Sequence, residues 1–409
     1  MKGSGNQTKG VNFNMTYLKE KFTMRANVGL TVNDSENSPY GSFSQYTRLN
    51  PYYIPEDANG EQLKVLDNNT VSGQSRVITN PLYDATVGIR DVTNSLNVTT
   101  TLGLEYMVLE NLRITEQLSY TKGMAGTDKF LPSDHTSFEL EDDLTRKGSY
   151  SKSTGNMSSW SSNLGINYNL VLGKHLFSLF GNWTISEDRN DYVNLAATGY
   201  PDKHMDDFIF GNKMETNMSN IGTENISRSI GLIGQFSYSY DNRYSLDMNI
   251  SGEASSRYAD HDLVPFWSVG GSWIISDESF MKPVSWINLL KLRGSYGTSG
   301  NSDIDDYLYM QLYSFGRNYM DEPGSTLSTM GNEDLTWEKN HNADLGIEMK
   351  VFKRFNLSVD VYNRKTFDLL LAVPVSMTTG YENQMRNVGS MVNRGVELSL
   401  ATTVINSDK

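Results

Sequence analysis

The most restrictive feature of this sequence is a strict alternation of apolar and polar side chains on both sides of a three-residue polar turn, in residues 342–362. The apolar positions before and after the turn are Leu345, Ile347, Met349, Val351, Phe355, Leu357, Val359 and Val361. Because successive side chains of a strand point to opposite faces, each half predicts a strand with one apolar and one polar face. The short connection at residues 352–354 predicts an antiparallel hairpin.

The same alternation recurs along the chain, and counting its segments predicts about thirteen strands. Clear examples are residues 11–17 with 22–30, 96–108 with 112–120, 164–170 with 176–185, and 232–240 with 244–250. Short turns and long polar loops alternate between these segments. Outer-membrane barrels have this asymmetry between their two rims, whereas soluble sandwiches and propellers do not need it. The pattern favours an all-β, antiparallel transmembrane β-barrel.

The polar positions of the alternation support a barrel rather than a soluble core. Many of them are Asn, Ser or Asp, such as Asn163, Asp247 and Asn249, which are costly to bury in a dry core and acceptable in a wet lumen. The longest apolar run, residues 369–375, is too short for a membrane-spanning helix of about 20 residues. Five aromatic residues near the ends of apolar faces either form an interfacial girdle or are ordinary core residues. These are Tyr168, Trp183, Tyr244, Trp267 and Trp273.

The charge and cysteine content exclude several classes of function. The formal net charge of −13 opposes a phosphate backbone, so no nucleic acid partner is expected. The absence of Cys among the 409 residues excludes disulfides and thiol catalysis. The first residues lack the apolar core of a secretory signal.

Catalytic and metal-binding signals are weak. The five histidines share no metal-ligand spacing; they are His135, His175, His204, His261 and His341. Residues 301–306 resemble the start of a calcium loop but lack its Gly at position six and Glu at position twelve. Residues 134–135, 204–207 and the acidic run 139–143 are typical of solvated polar loops. We therefore expect no enzyme, no catalytic residue, no cofactor and no metal site.

Several longer motifs fall in an order that indicates a particular family. They are Tyr-Ser-Tyr-Asp-Asn-Arg-Tyr-Ser-Leu-Asp at 238–247, Ala-Ser-Ser-Arg-Tyr at 254–258, Ser-Trp-Ile-Ile-Ser-Asp-Glu at 272–278, Leu-Lys-Leu-Arg-Gly-Ser-Tyr-Gly at 290–297, Asn-Glu-Asp-Leu-Thr-Trp-Glu at 332–338, Asp-Val-Tyr-Asn-Arg-Lys at 360–365 and Asn-Val-Gly-Ser-Met-Val-Asn-Arg-Gly at 387–395. With these motifs the chain resembles the barrel of SusC-like TonB-dependent transporters of the Bacteroidetes outer membrane. The resemblance is specific from about residue 232 to 400 and looser before it.

The resemblance implies a multi-pass protein of the cell outer membrane that imports oligosaccharides or peptides with energy from TonB. It also implies a 22-stranded barrel around an N-terminal plug domain, and a SusD-like surface lipoprotein as partner. Against that pattern, residues 1–409 are expected to be one partial barrel domain without the plug and the final barrel strands. Such a piece of wall would be an open curved sheet or a forced smaller closure, because open edges cannot persist in lipid.

Aromatic residues in the long loops are the candidate contacts for substrate or lipoprotein, because aromatic faces stack on sugar rings. The set is Tyr52, Tyr53, Tyr307, Tyr309, Tyr313, Tyr319 and Trp337. Alternatively, these residues pack the loops against one another. For the whole chain, the alternatives to active import are a passive porin-type barrel and a surface adhesin or binding barrel.

Overall fold

The computed structural model describes residues 2–71, 74–214, 221–260, 262–319 and 322–404, and it is dominated by antiparallel strands. The strands are β1 (Gly5–Lys19), β2 (Phe22–Glu36), β3 (Val65–Val71), β4 (Gln74–Thr79), β5 (Arg90–Leu109), β6 (Leu112–Leu131), β7 (Ser149–Leu172), β8 (His175–Thr198), β9 (Lys213–Met214), β10 (Ile221–Tyr240), β11 (Tyr244–Ser255), β12 (Val264–Ile274), β13 (Ile287–Asn301), β14 (Leu312–Tyr319), β15 (Glu322–Thr329), β16 (Glu338–Val351), β17 (Phe355–Phe367), β18 (Leu370–Pro374), β19 (Asn383–Asn387) and β20 (Ser390–Thr402).

In the residues that the structure describes, helical structure is confined to short segments. These residues contain two α-helices, α1 (Phe43–Thr47) and α2 (Pro81–Asp84). Single 3₁₀ turns occupy Thr136–Phe138, Leu144–Arg146, Phe208–Phe210, Ile275–Asp277, Ser279–Met281 and Met377–Thr379. In the described part of the chain, no helix is long and apolar enough to cross a membrane.

Thirteen of the strands pair in one continuous antiparallel sheet, as the sequence predicts. The order is β1-β2-β5-β6-β7-β8-β10-β11-β12-β13-β16-β17-β20, and β9 adds a short pairing to β8. Each strand therefore pairs with the next long strand in the chain. The remaining strands form three separate hairpins inside long loops, β3-β4, β14-β15 and β18-β19.

The hairpin predicted at residues 342–362 is confirmed as β16 and β17. Leu345 pairs with Val361 and Ile347 with Val359, so the two apolar sets lie on the same face. Phe352 and Lys353 make the tight turn with φ values of 51° and 59°. The left-handed backbone at both positions matches the twist that a short hairpin connection requires.

The register divides the main sheet into an apolar face and a polar face. Directly opposed residues share a face, so each row across the sheet has one character. One row of the apolar face is Leu246, Gly271, Gly294, Leu345, Val361 and Val396. The neighbouring row of the polar face is Ser245, Ser272, Arg293, Gly346, Asp360 and Glu397.

The apolar face forms a band of limited height that ends where charged residues begin. On β8 the band runs over nine residues from Phe177 to Ile185, which is roughly 26 Å along the strand. The next position on this face is Glu187, which forms an ion pair with Arg228 of β10 at 2.6 Å. Nine residues agree with the length of a tilted membrane-spanning strand, which needs about 9–11 residues.

Aromatic rings line both ends of this band, in agreement with the predicted girdle. At the rim of short turns, Tyr244 stacks on Trp273 with centroids 6.1 Å apart, and Trp286 stacks on Phe352 at 5.8 Å. At the opposite end, Trp267 contacts Tyr296 at 5.7 Å. Trp267 and Trp273 lie six positions apart on the same face of β12, so a single strand carries both girdles.

Several strands extend well beyond the alternation that predicts them. The return strand expected to end at Ile185 continues as β8 to Thr198, paired with β7 throughout. Directly above the band, residues 186–191 of β8 are polar on both faces, which removes the period-two signal without removing the backbone ladder. The connection between β12 and β13 contains two 3₁₀ turns, Ile275–Asp277 and Ser279–Met281, and neither has a side-chain cap hydrogen bond.

The sheet is open within the described residues. β1 and β20 are its two ends, and no described pairing joins them. Every residue of β1 is exposed, and nearly every residue of β20 is exposed as well. The expected open sheet is therefore what the structure shows.

Candidate functional site on the polar face and in the long loops

The long loops at one rim are organised into two packed clusters. The first loop cluster consists of Phe130, Tyr150, Ala197 and Tyr200, with Phe208 packed against them. The rings of Phe130 and Tyr200 meet edge to face at 5.3 Å. Burial raises the pKa of Tyr200 to about 12, so its hydroxyl remains protonated. This cluster fixes the loop at residues 199–212 against the upper ends of β6, β7 and β8.

A network of ion pairs and hydrogen bonds around Arg90 borders the first loop cluster. Arg90 of β5 donates from Nε to Asp128 Oδ1 at 2.7 Å and also forms an ion pair with Asp206 of the loop. Tyr150 donates its hydroxyl to the other oxygen of Asp128 at 2.7 Å. The Arg90 guanidinium also lies over the Tyr150 ring at 5.5 Å. The loop at residues 199–212 is thus held by directional contacts as well as by apolar packing.

Asp84 joins two further loops. Its carboxylate accepts from Thr136 N at 2.9 Å and from Thr136 Oγ1 at 2.7 Å, and it lies 3.6 Å from His135 Nε2. Burial lowers the pKa of His135, although the Asp84 carboxylate acts in the opposite direction. His135 Nδ1 accepts from Ser137 N, so this histidine begins a 3₁₀ turn and does not face the Asp134 carboxyl in an acid-base pair.

The second loop cluster contains Trp337. It consists of Tyr258, Phe266, Ile304, Leu335 and Trp337, and draws on the loops that precede β12 and β16. Trp337 is 5% exposed, and its ring stacks on Tyr258 with centroids 5.8 Å apart.

Asn387 connects this cluster to the loop at residues 368–389. Its side-chain oxygen accepts from Thr336 N at 2.8 Å, and its amide nitrogen donates to Thr336 O at 2.6 Å and to Asp368 O at 2.9 Å. One amide therefore joins three chain segments.

A polar cleft of about 420 Å³ lies on the polar face of the last strands, close to the long-loop rim. It is lined by Ser299, Asn340, Asn342, Asp344, Arg364, Thr366, Met391 and Asn393. Seven of these eight side chains are polar, and the cleft offers both hydrogen-bond donors and acceptors. The strands position them because Asn342, Arg364 and Asn393 are directly opposed across β16, β17 and β20.

Below the cleft, ion pairs order the polar face. Arg293 Nη2 donates to Asp360 Oδ1 at 2.7 Å, and Arg293 Nε lies 3.1 Å from Glu348 Oε1. The Arg293–Asp360 pair crosses β16 at Gly346, where a Cβ would overlap the Asp360 carboxylate. The wall under the cleft is thus polar and internally paired.

A second cleft, of about 550 Å³, lies in the loop between β2 and β5. Arg48, Tyr53 and Arg76 are among its lining residues. Tyr53 donates its hydroxyl to Asp67 Oδ2 at 3.2 Å, so this tyrosine is anchored while it borders open space. Tyr52 precedes it and is 89% exposed.

The tyrosines predicted in the loop at residues 302–337 occupy different settings. Tyr307 is tied to β10, because its hydroxyl accepts from Ile226 N at 2.8 Å and donates to Ile226 O at 3.3 Å. Tyr309 is half-buried, and Tyr313 is exposed. The backbone of Tyr319 ends β14, but its side chain lies outside the described part of the structure. The six predicted aromatics whose side chains are described are therefore not brought together in one site.

The remaining histidines contribute to packing and turns. His175 Nδ1 lies 2.8 Å from the Tyr238 hydroxyl in the short-turn girdle, and His341 lies 3.2 Å from the Tyr296 hydroxyl. The backbone N–H of His204 donates a hydrogen bond to the Asp202 carboxylate, and His261 falls outside the described residues. Within the described ranges, no three His, Asp or Glu side chains converge as a metal site. Asp306 of the weak calcium motif pairs with Arg257 at 3.2 Å.

The polar cleft was not predicted as a site, although its signal was present in the sequence. The alternation at residues 340–344 and 362–366 places these side chains on the polar face. The alternation does not show that these side chains border a cleft, because the cleft depends on the register across four strands and on the loops above them.

Comparison with known proteins identifies the fold. A family model for the TonB dependent receptor-like β-barrel matches residues 5–406. The chain belongs to this family. Its members are outer-membrane receptors and transporters, and the resemblance to SusC-like transporters is confirmed.

Two curated relatives show the extent of the similarity. TonB-dependent receptor P39 of Formosa agariphila is 34% identical over 247 residues, which is 59% of this chain and 24% of the relative. TonB-dependent receptor SusC of Bacteroides thetaiotaomicron is 33% identical over 190 residues, which is 44% of this chain and 19% of the relative. The matched segments thus span about a quarter or less of these relatives.

Among solved structures, the RagAB peptide transporter superposes with a TM-score of 0.79 at 23% identity. The superposition covers 99% of this chain and 45% of that chain. At this identity the likeness concerns the fold, and it extends over the whole sheet and its loops.

Proposed function

We propose that this chain forms part of the wall and the extracellular loops of an outer-membrane importer for oligosaccharides or peptides. The observation that carries the proposal is the polar cleft, which lies on the polar face of β13, β16, β17 and β20, near the second loop cluster that directly precedes β16. The apolar face contacts lipid, and the polar face borders a passage. The long-loop rim faces the outside, and the short turns face the periplasm.

The chemistry of the cleft suits neutral polar polymers. Amide, hydroxyl and carboxylate groups from Asn342, Thr366 and Asp344 offer hydrogen bonds that sugar hydroxyls and peptide amides both satisfy. The cleft is open to solvent and mostly uncharged, which favours weak, multi-site contact over tight capture. A passage needs this property, because a substrate must leave each site as well as enter it.

Two partners belong to the proposal. A SusD-like surface lipoprotein would dock on the extracellular loops, where the first and second loop clusters provide firm surfaces and Tyr52 projects into solvent. TonB would deliver energy through a plug domain inside the closed barrel. The similarity to TonB-dependent receptor SusC supports the role of TonB, and the lipoprotein is what the resemblance to SusC-like transporters implies.

Blocking the cleft tests the proposal. Made in a closed transporter that contains these strands, Asn342→Trp places a large ring in the cleft, so uptake of labelled oligosaccharides or peptides should fall while the amount of folded protein in the membrane stays constant. Ala343→Trp is the matched control, because the adjacent side chain points to the opposite face. Equal uptake by the two variants would remove the cleft from the route. Uptake that survives a protonophore would instead indicate a passive porin, and binding without uptake an adhesin.

The loop tyrosines need a separate test. Tyr52→Ala and Tyr309→Ala should weaken uptake or lipoprotein binding if these rings contact either one. Tyr307 is better replaced by Phe, because its hydroxyl holds the backbone of β10 and a truncation would disturb that strand. Unchanged uptake and unchanged lipoprotein co-purification would assign the rings to loop packing.

A further inference from the structure

Two basic side chains form a basic patch on the apolar face of the sheet, immediately above the apolar band at the long-loop rim. On β17 the apolar positions end at Val361, and the next positions on the same face are Asn363 and Lys365. On β20 the position above Val396 on this face is Arg394. Both basic residues, Lys365 and Arg394, are exposed. Cations just beyond an apolar band lie at the height of lipid headgroups, because the rows below them contact acyl chains.

The register brings the two cations of the basic patch to one place. Arg394 is directly opposed to Asn363, and Lys365 is the next residue on that face of β17. Diagonal neighbours of this kind on adjacent strands lie about 7–8 Å apart, which is within reach of long side chains. The guanidinium and the ammonium can therefore contact the same ligand group.

Neighbouring side chains position both cationic groups. Arg394 Nε donates to Asn363 Oδ1 at 2.8 Å, and within the described residues the Nη donors of this guanidinium have no acceptor. Lys365 Nζ lies 4.2 Å from the centroid of the Phe367 ring. The Phe367 ring packs edge to face against His341 at 5.1 Å. Because these contacts already order the two head groups, a ligand loses less conformational entropy on binding to them.

The positive charge of the basic patch is not neutralised. Neither cation forms an ion pair with a carboxylate in the part of the chain that the structure describes. Elsewhere on the same rim, Arg228 is paired with Glu187 at 2.6 Å. The acidic residue that follows β17, Asp368, is paired with Lys339 at 3.5 Å. The basic patch therefore combines excess positive charge with an exposed apolar wall below it.

We propose that the basic patch binds the phosphate headgroup of an outer-leaflet lipid. The phosphate oxygens would accept from the guanidinium of Arg394 and from the ammonium of Lys365. The acyl chains would lie against the apolar rows that end at Val361 and Val396. This inference rests on the proposed contact of the apolar face with lipid, and it does not depend on the polar cleft of the opposite face.

The chemistry of the basic patch favours a lipid phosphate over other anions. A guanidinium presents a planar fork of N–H donors that matches phosphate oxygens, and an ammonium adds a compact positive charge. A free phosphate ion would use only these donors, whereas a lipid also contacts the apolar rows directly below. A single amphiphilic ligand thus matches both halves of the surface.

The experiment measures lipid retention by native mass spectrometry. The protein is a closed transporter that contains these strands, purified in dodecyl maltoside, and the probes are dioleoyl phosphatidylglycerol and dioleoyl phosphatidylcholine in equal amounts. Each basic residue near the surface strengthens the binding of an anionic lipid by about fivefold, so phosphatidylglycerol should be retained about tenfold or more over phosphatidylcholine. A higher ammonium acetate concentration should reduce this preference, because salt screens the charges. Equal retention of the two lipids would overturn the proposal.

Variants locate the lipid site, and they are compared at equal amounts of folded protein. Lys365→Gln with Arg394→Gln should lower the retention of phosphatidylglycerol several-fold. Arg48→Gln with Lys203→Gln is the matched control, because it makes the same change of net charge at exposed loop positions and should leave retention unchanged. Lys365→Arg with Arg394→Lys keeps both charges and should preserve most of the binding. Equal losses in the two glutamine pairs would show a general charge effect and contradict the site.

Inorganic phosphate distinguishes a lipid headgroup from a free anion. It should displace phosphatidylglycerol only in large excess, because it makes no contact with the apolar rows. Displacement at equal concentration would contradict the lipid assignment. The readout is bound lipid and the substituted residues lie on the face opposite the cleft, so failure of this site and failure of the uptake test with Asn342→Trp are distinguishable.

Discussion

Gly346 shows how one residue controls the order of the polar face. The side chains of Arg293 and Asp360 cross β16 at this position, and a Cβ there would overlap the Asp360 carboxylate and lie 2.8 Å from Arg293 Nε. We expect Gly346→Ala to disrupt the ion pair and to lower the free energy of unfolding by about 1–3 kcal/mol, the usual cost of overpacking. Thermal or urea unfolding in micelles measures the change.

The control for this prediction is Gly181→Ala in β8. Gly181 is also in a strand, but nothing lies within 4 Å of the position that its Cβ would take. Its substitution should leave the free energy of unfolding unchanged or slightly raised, because alanine gives the unfolded chain less conformational entropy than glycine does. If both variants unfold alike, the crossing at Gly346 has no energetic importance.

His135 predicts a pH dependence of the loops. Burial holds the pKa of this imidazole below its ordinary value of 6.5, so the folded chain takes up the proton less readily than the unfolded chain. Stability contributed by the neutral histidine is therefore present above pH 6.5 and is lost as the pH falls below it. The contact between Thr136 and Asp84 should loosen in acid.

Amide hydrogen exchange of residues 135–138, corrected for the intrinsic effect of pH, measures this loosening. His135→Asn keeps a side-chain acceptor for Ser137 N but cannot be protonated in this range. Protection in that variant should vary little between pH 7.5 and pH 5.5. The same acid-induced loss in the variant would assign the effect to another group.

At the residue scale, the sequence predicts chemistry better than location. Trp337 was a candidate contact because it lies in a loop, yet its ring is buried against Tyr258. Tyr307 was a candidate for the same reason, and its hydroxyl is bonded to β10 more than 80 residues earlier in the chain. Neither contact has a local signal, because both depend on how separate loops pack.

Among the elements, the strands within the apolar band were predictable and their extensions were not. β16 and β17 follow from period-two alternation, since one face needs an apolar environment. The upper part of β8 has Glu187, Arg189 and Asp191 on the same face, because this part of the strand lies beyond the apolar band. The backbone pairing continues there, but the sequence pattern no longer reports it.

The hairpins in the long loops were not predicted from the sequence, for a related reason. β14-β15 and β18-β19 are short two-stranded sheets, and the one described bridge beyond them joins Gln384 of β19 to Met330. A two-stranded hairpin without a buried face has no strong alternation to detect. These hairpins gain stability from neighbouring loops, as Asn332 illustrates by donating to Met385 O at 2.9 Å.

The assignment of the apolar face to lipid predicts a face-dependent response to charge. Leu345 lies in the middle of the apolar rows of β16 and is 54% exposed. Leu345→Lys should lower the stability of the inserted protein by about 2–4 kcal/mol, the cost of a basic residue near the bilayer midplane. The folded fraction in lipid vesicles, read from heat-modifiable gel mobility, measures it when the substitution is made in a closed barrel that contains these strands.

Ser295→Lys provides the matched comparison on the polar face. Ser295 is exposed and directly opposed to Asp344, so a lysine there gains a neighbouring carboxylate. Its effect on the folded fraction should be small. If the serine variant were the more damaging of the two, the assignment of the faces would be reversed.

For the whole molecule, the two long edges of the sheet dominate the energetics. Within the sheet, the backbone groups of each strand are paired on both sides, whereas β1 and β20 each have one unpaired side among the described residues. An unpaired backbone group in hydrocarbon costs several kcal/mol. Loop clusters cannot offset this cost, because they lie at the rim and do not cover the edges.

We therefore propose that the wall closes only when further strands pair with β1 and β20. Residues 1–409 expressed alone and refolded in detergent should fail to give the compact, heat-modifiable gel band of a closed barrel, because the exposed edges favour association with other chains. A closed TonB-dependent barrel refolded in parallel supplies the reference band. A monomeric, heat-modifiable species from residues 1–409 would instead show that thirteen strands can close in lipid. The diameter of that barrel would be smaller than the diameter of a 22-stranded barrel that encloses a plug.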